Sequence, residues 1–143
     1  MALLSDKAAS DTLDGASALM SLGLLMRNAV DLLRGMHISI DGGVLTVAAF
    51  SLIEWFTITE QYRLDGTESV AKRRDFRKGA NWIWLSAVTP RRLQLLGRWE
   101  GSYAGKGFED VVLVDDDELH VTCTLTLCSG KSCTYRQVYR RRG

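Results

Sequence analysis

From Trp82 to Arg140 the chain repeats one unit: a run of residues with strand character, then a short polar turn. Trp82–Leu85 is closed by Thr89-Pro90, Leu93–Trp99 by Glu100-Gly101, and Val111–Val114 by Asp115-Asp116-Asp117. Leu119–Leu127 is closed by Cys128-Ser129-Gly130-Lys131-Ser132-Cys133, and Thr134–Arg140 follows. Short strands at even spacing, joined by turns too short for crossover helices, can only pair with their neighbours in antiparallel fashion. This rhythm predicts a mainly β fold, an antiparallel up-and-down barrel. Leu119–Leu127 carries the clearest signal, with Leu119, Val121, Cys123, Leu125 and Leu127 alternating with His120, Thr122, Thr124 and Thr126.

The chain before this region is of two kinds. Leu19, Leu22, Met26, Val30 and Leu33 recur at three- and four-residue steps, the period of an amphipathic helix, and Gly23 interrupts them. The pattern predicts two short helices, 12–22 and 24–33, with Ser10 or Asp11 as N-cap and Gly35 as the stop. Met1–Leu4 is expected to be no more than a brief edge strand. From His37 the period becomes two: Ile38 and Ile40 alternate with Ser39, and Asp41-Gly42-Gly43 reads as a hairpin turn. Val44–Leu52 is apolar in both phases, which favours something covering its outer side. On the next strand Phe56, Ile58, Tyr62 and Leu64 share a face, and Asp65-Gly66 ends it. Glu60 is in phase with that apolar face, so either it is a polar group inside or a bulge resets the register.

The expected organisation is therefore one domain over 1–143, with a helical lid at 10–35 and a β-meander closing into a barrel at 37–140. The net charge of +1 gives no global field for nucleic acid. The basic run Lys72–Lys78, near Trp82 and Trp84, is read as a solvated turn followed by buried tryptophans rather than a nucleic-acid platform. The most apolar stretches, Ala16–Met26 and Gly43–Ile53, are shorter than the ~20 residues of a membrane-spanning helix, so no transmembrane segment is expected. No signal-peptide pattern is seen, and the expected location is cytoplasmic or an organelle interior. Three cysteines argue against a disulfide framework; Cys128 and Cys133 flank a turn at a spacing that permits a bridge without requiring one.

Catalytic patterns are scarce. His37 and His120 have no neighbouring ligand set, Asp115–Glu118 reads as a solvated turn, and no phosphate loop, zinc motif or nucleophile elbow is present. No enzyme activity, metal or cofactor is expected. An inward-facing apolar wall must be filled by side chains or by a ligand. The candidate ligand contacts are Phe56, Ile58, Tyr62, Trp84 (or Trp82), Leu125, Arg136, Gln137 and Tyr139.

The order of these pieces resembles the intracellular fatty-acid-binding protein family, within the calycin group that includes lipocalins. Four segments carry the resemblance: the helix pair from Ala18-Leu19-Met20-Ser21-Leu22-Gly23 to Gly35, the strand Ile38-Ser39-Ile40, the turn Arg98-Trp99-Glu100-Gly101, and the closing pair Leu119–Leu125 and Cys133–Tyr139. The resemblance implies a lidded barrel that carries a fatty-acid- or retinoid-like molecule and performs no covalent chemistry. The family's first strand, with its Gly-x-Trp, is here reduced to Met1–Leu4. The family grips a ligand carboxylate with Arg-x-Tyr in its last strand; here Gln137 precedes Tyr139 by two, and Arg136 is one place out of phase. The family's second carboxylate-binding arginine falls on Phe108. The alternative reading is an accessory subunit of a larger assembly, in which protein partners meet the tryptophans and the Arg140–Arg142 tail and no ligand is bound.

Overall fold

The computed structural model describes residues 1–53 and 55–142. In chain order these form β1 (Ala2–Ser5), α1 (Asp14–Leu19), α2 (Leu24–Asp31), β2 (Leu33–Asp41), β3 (Val44–Ser51), β4 (Thr57–Arg63), β5 (Ser69–Ala71), β6 (Asn81–Thr89), β7 (Arg92–Trp99), β8 (Gly105–Leu113), β9 (Glu118–Leu127) and β10 (Ser132–Arg141). All ten strands belong to one antiparallel sheet in the order β4-β3-β2-β1-β10-β9-β8-β7-β6-β5. The sheet curls until β4 lies beside β5 and β6, giving a nearly closed barrel. No main-chain ladder joins β4 to β5, so the barrel has a seam.

The first strand is not an edge. β1 is ladder-bonded on both sides, with Leu3 opposite Met36 of β2 and Arg141 of β10, and Leu3 has no exposed surface. Gly35 makes this possible. A Cβ at Gly35 would stand 2.2 Å from the Leu3 carbonyl oxygen and 2.7 Å from the Phe50 ring. Gly35 is therefore a close-approach position within β2, not the stop of a helix, and the chain has left α2 several residues earlier. The turn reading at Asp41–Val44 matches: Asp41 pairs Val44, and Gly42 and Gly43 between them have φ of 57° and 77°, as a type I′ turn requires.

Both helices are shorter than the periodicity suggests, and the residues read as N-caps are used elsewhere. Beyond Ser5 the ladder along β10 runs out. Ser10 Oγ accepts the Val138 N–H at 2.8 Å and donates to the Asp6 carbonyl at 2.7 Å, and Asp11 Oδ2 accepts the Arg136 N–H at 2.8 Å. These side chains satisfy β10 donors that β1 is too short to reach. Leu13 is the N-cap of α1 and supplies no side-chain hydrogen bond to it.

The core gathers inward residues from most of the sheet, among them Leu3, Met36, Leu45, Tyr62, Ile83, Leu85, Leu95, Val111, Val121 and Tyr139. On β6 the inward phase is Asn81, Ile83 and Leu85. Trp82 and Trp84 take the outer phase, where the Arg98 guanidinium lies over their rings at 4.8 and 5.7 Å. Four consecutive apolar residues, Trp82–Leu85, leave the phase of this strand open in the sequence. The acidic run resolves into turn contacts: Asp115 Oδ1 accepts the Asp117 N–H, Asp116 pairs with Arg91, and Glu118 pairs with His120 and Arg140.

Candidate ligand-binding cavity

Inside the barrel, beneath the helices, lies a cavity of about 240 Å³. A single water needs roughly 10–15 Å³, so the space is large. The lid contributes Leu13, Ala16, Met20, Leu22, Met26 and Val30, and the walls are mostly aliphatic side chains of the inward phase. Gly97 and Gly107 pair across β7 and β8 and both line the wall, so side chains leave room there.

Of the sequence-derived candidates, Phe56, Ile58, Tyr62, Leu125, Gln137 and Tyr139 lie on this wall. Trp84 and Arg136 do not. Trp84 is on the outer face beneath Arg98, and Arg136 is an exposed position of β10. Strand alternation explains Arg136: Tyr135, Gln137 and Tyr139 point in, so the residues between them point out. The Tyr139 hydroxyl donates to Gln137 Oε1 at 3.1 Å.

Five acidic and basic side chains also line the cavity: Glu60, Arg73, Arg74, Asp75 and Glu109. Glu60 sits inside, its side chain 4% exposed, so the in-phase reading holds and no bulge is needed. The Arg74 guanidinium reaches it from the loop after β5, with Nη2 2.7 Å from Glu60 Oε1 and Nε 3.1 Å from Oε2. The same Nη2 donates to Glu109 Oε1 on β8. The Tyr62 hydroxyl donates to Glu60 Oε1 at 2.9 Å. From the loop after β5, Arg74 thus ties across the seam to Glu60 of β4 and also holds Glu109 of β8.

The electrostatics follow from burial and charge. Burial pushes the Glu60 carboxyl up, but the charge and hydrogen bonds of Arg74 outweigh it and hold the group below its ordinary value. Burial likewise opposes charge on Arg74, yet Glu109 and Glu60 hold its guanidinium well above the usual range. Arg74 keeps 41% of its side-chain surface and is one of the residues lining the cavity. Burial raises the Tyr62, Tyr135 and Tyr139 phenols and pushes the Cys123 thiol up to about 12, so all four stay neutral hydrogen-bonding groups.

The basic run is not a solvated turn. Arg73 is 3% exposed; its Nη1 donates to the Glu100 and Ser102 carbonyls at 3.0 and 2.6 Å, and its Nη2 pairs with Asp75 at 2.8 Å. Arg77 donates to the Met20 and Ser21 carbonyls at 2.6 and 2.9 Å, which fastens the end of α1 to the barrel rim. Asn81 lines the cavity 5% exposed; its Nδ2 donates to the Lys72 carbonyl, and its Oδ1 has no partner among the described residues. Periodicity says nothing about Arg73, Arg74 or Asp75, because they lie in a loop. Glu109 was legible in principle: carrying the β8 strand back from Val111 by two-residue steps places it on the inner face. Among the described residues no cluster of three or more His, Cys, Asp or Glu is placed to hold a metal ion.

A ten-stranded up-and-down barrel, lidded by two short helices over an apolar cavity, defines a β-barrel with the fatty-acid-binding-protein-like fold. Solved structures agree. A zebrafish ileal bile acid-binding protein complexed with cholic acid aligns over 99% of this chain and 96% of its own, with a TM-score of 0.66 at 9% identity. The fluorescent protein UnaG aligns over 99% and 95%, with a TM-score of 0.72 at 19% identity. A point mutant of UnaG aligns over 98% and 93% at 0.70. Compared with family models and with curated proteins, the sequence matches none. At these identities the likeness is one of fold.

Proposed function

We propose that residues 1–143 form one non-enzymatic binding domain that holds a hydrophobic small molecule, of fatty-chain or retinoid-like shape, inside the barrel. The observation that carries this reading is the cavity of about 240 Å³, walled by apolar side chains and left unfilled by the chain itself. An enclosed, mostly apolar space with a few converging polar groups is the usual form of a small-molecule site. Phe56, Ile58 and Leu125 offer apolar contact, while Tyr62, Gln137 and Tyr139 orient the ligand. The bile acid-binding neighbour, complexed with cholic acid, supports the reading by fold alone. All three cysteines are free, which suits a reducing compartment. No helix is long and apolar enough to cross a membrane among the described residues.

The test is titration of the delipidated protein with Nile red, an uncharged fluorescent probe. Wild type is expected to enhance and blue-shift its emission saturably. Val121→Trp, which fills the cavity from a lining position, is expected to abolish this while keeping the far-ultraviolet circular dichroism. Failure of wild type to bind Nile red or any other apolar probe would overturn the proposal.

A further inference from the structure

The charged groups inside the cavity bear on which ligand it takes. Glu60 and Glu109 share one guanidinium, that of Arg74, so this cluster carries two carboxylates against one cation. The other cavity-lining cation, Arg73, is already committed to Asp75 and to two carbonyls, and Arg77 outside it to Asp75 and two more. Among the described residues lining the cavity, no positive charge is left over for an anion. A ligand carboxylate placed beside Arg74 would meet two repulsions and one attraction at similar range, in a setting less polar than water.

The unpaired hydrogen-bonding atoms are of both kinds. Glu109 Oε2 and Asn81 Oδ1 are acceptors without a partner among the described residues, and Asn81 is more than nine-tenths buried. Arg74 Nη1 and Gln137 Nε2 are donors without one. Of these, Asn81 Oδ1 is the buried side-chain polar atom without a partner among the described residues, and such atoms of a native fold are normally satisfied; the four together mark where a ligand or water completes the set at the cavity wall.

Resting on the binding reading above, we propose that the cavity selects an apolar ligand whose head is uncharged and both donates and accepts hydrogen bonds, a hydroxyl or an amide, and discriminates against carboxylates. The head donates to Glu109 Oε2 and accepts from Arg74 Nη1, leaving the ion cluster intact.

The experiment displaces Nile red with 1-decanol and with decanoate near neutral pH, using wild type and Glu109→Gln. In wild type, decanol is expected to displace the probe at a concentration at least about tenfold below that of decanoate. Because decanol is also the more oil-soluble of the two, the variant supplies the sharper readout. Glu109→Gln removes the surplus negative charge at nearly constant volume, and it is expected to narrow the decanoate-to-decanol ratio by roughly tenfold, the factor given by about 1.4 kcal/mol. An unchanged ratio in the variant overturns the inference. So does wild-type decanoate binding within about twofold of decanol, which decides the matter even where the variant does not fold. Nile red bound normally with either result leaves the binding reading standing and removes this one; no probe bound at all removes both.

Discussion

Replacing Arg74 by methionine tests the electrostatic design of the interior directly. The substitution keeps much of the aliphatic stem and removes the cation that Glu60 and Glu109 share. Breaking a buried ion pair by deleting one partner costs about 3–5 kcal/mol, because a charge is left without compensation. Arg74 is partly accessible and, with Glu60 and Glu109, lines a cavity large enough for water, which can solvate the orphaned carboxylates, so the lower end applies: about 3 kcal/mol. For a chain of this size that corresponds to a fall in Tm of roughly 10 °C. The pH dependence should change sign. In wild type the Glu60 pKa lies below its ordinary 4.5, so its stabilising contribution is complete above that value and is lost as pH falls through the folded pKa. In Arg74→Met the largest remaining influence is burial, which raises the pKa. The penalty is then present at neutral pH and is relieved as pH falls toward 4.5. Urea unfolding followed by tryptophan fluorescence, between about pH 7 and about pH 5, reads both effects. The variant should gain stability on acidification while wild type does not gain from this pair. Adding Glu60→Gln and Glu109→Gln to the variant should recover most of the loss. A loss below about 1 kcal/mol, or a variant whose stability falls with wild type's on acidification, would refute the reasoning.

Four further outcomes are expected. Gly35→Ala should cost about 1–3 kcal/mol in urea unfolding, since its Cβ would overlap the Leu3 carbonyl oxygen at 2.2 Å. Gly15→Ala in α1, with nothing within 4 Å of the new carbon, should instead stabilise by roughly 0.5–1 kcal/mol. Ser10→Ala removes the acceptor of the Val138 N–H, so hydrogen exchange at that amide should accelerate and stability fall by about 1–2 kcal/mol. A thiol-specific disulfide reagent near pH 8 should modify exposed Cys128 at once, while Cys123, buried with its pKa pushed up to about 12, should react only on unfolding.

Strands β7, β9 and β10 could be read from the sequence because each has one face in and one face out, which writes a period of two into the chain. The Gly42-Gly43 turn could be read because few residues other than glycine tolerate two successive positive φ angles. The lid could be placed but not bounded, since Ser10 and Asp11 were drawn off to satisfy β10 rather than to cap a helix. The first strand was placed at Met1–Leu4, but its central position was illegible, for a different reason. Ala2–Ser5 is short, and its central position depends on a glycine over thirty residues away having no side chain. The cavity's apolar lining was partly visible in Phe56, Ile58, Tyr62 and Leu125. Its ionic cluster was not, because Arg74 is a loop residue and finds Glu60 and Glu109 only once the barrel has curled round to bring β4, β5 and β8 together.

The central place of β1 has a further consequence for the order of the chain. The N–H of Arg142 donates to the carbonyl of Ala2 at 3.0 Å, so the first and last strands are stitched together as neighbours. Followed from β5 through β10, and then from β1 to β4, every strand lies beside its successor. The molecule is thus a cyclic sequence of ribbons, cut by its natural connectivity between two strands that remain bonded. The entropic burden of joining Leu3 to Arg141 comes from that choice of cut rather than from the architecture. A circularly permuted chain, opened between Asp65 and Gly66 and spliced across the old ends, would pair every strand with a chain neighbour, the longest step being β1 to β2 across the helical lid, while the contacts of β4 with β5 and β6 become the long-range ones. It would fold faster to the extent that this exchange lowers its contact order.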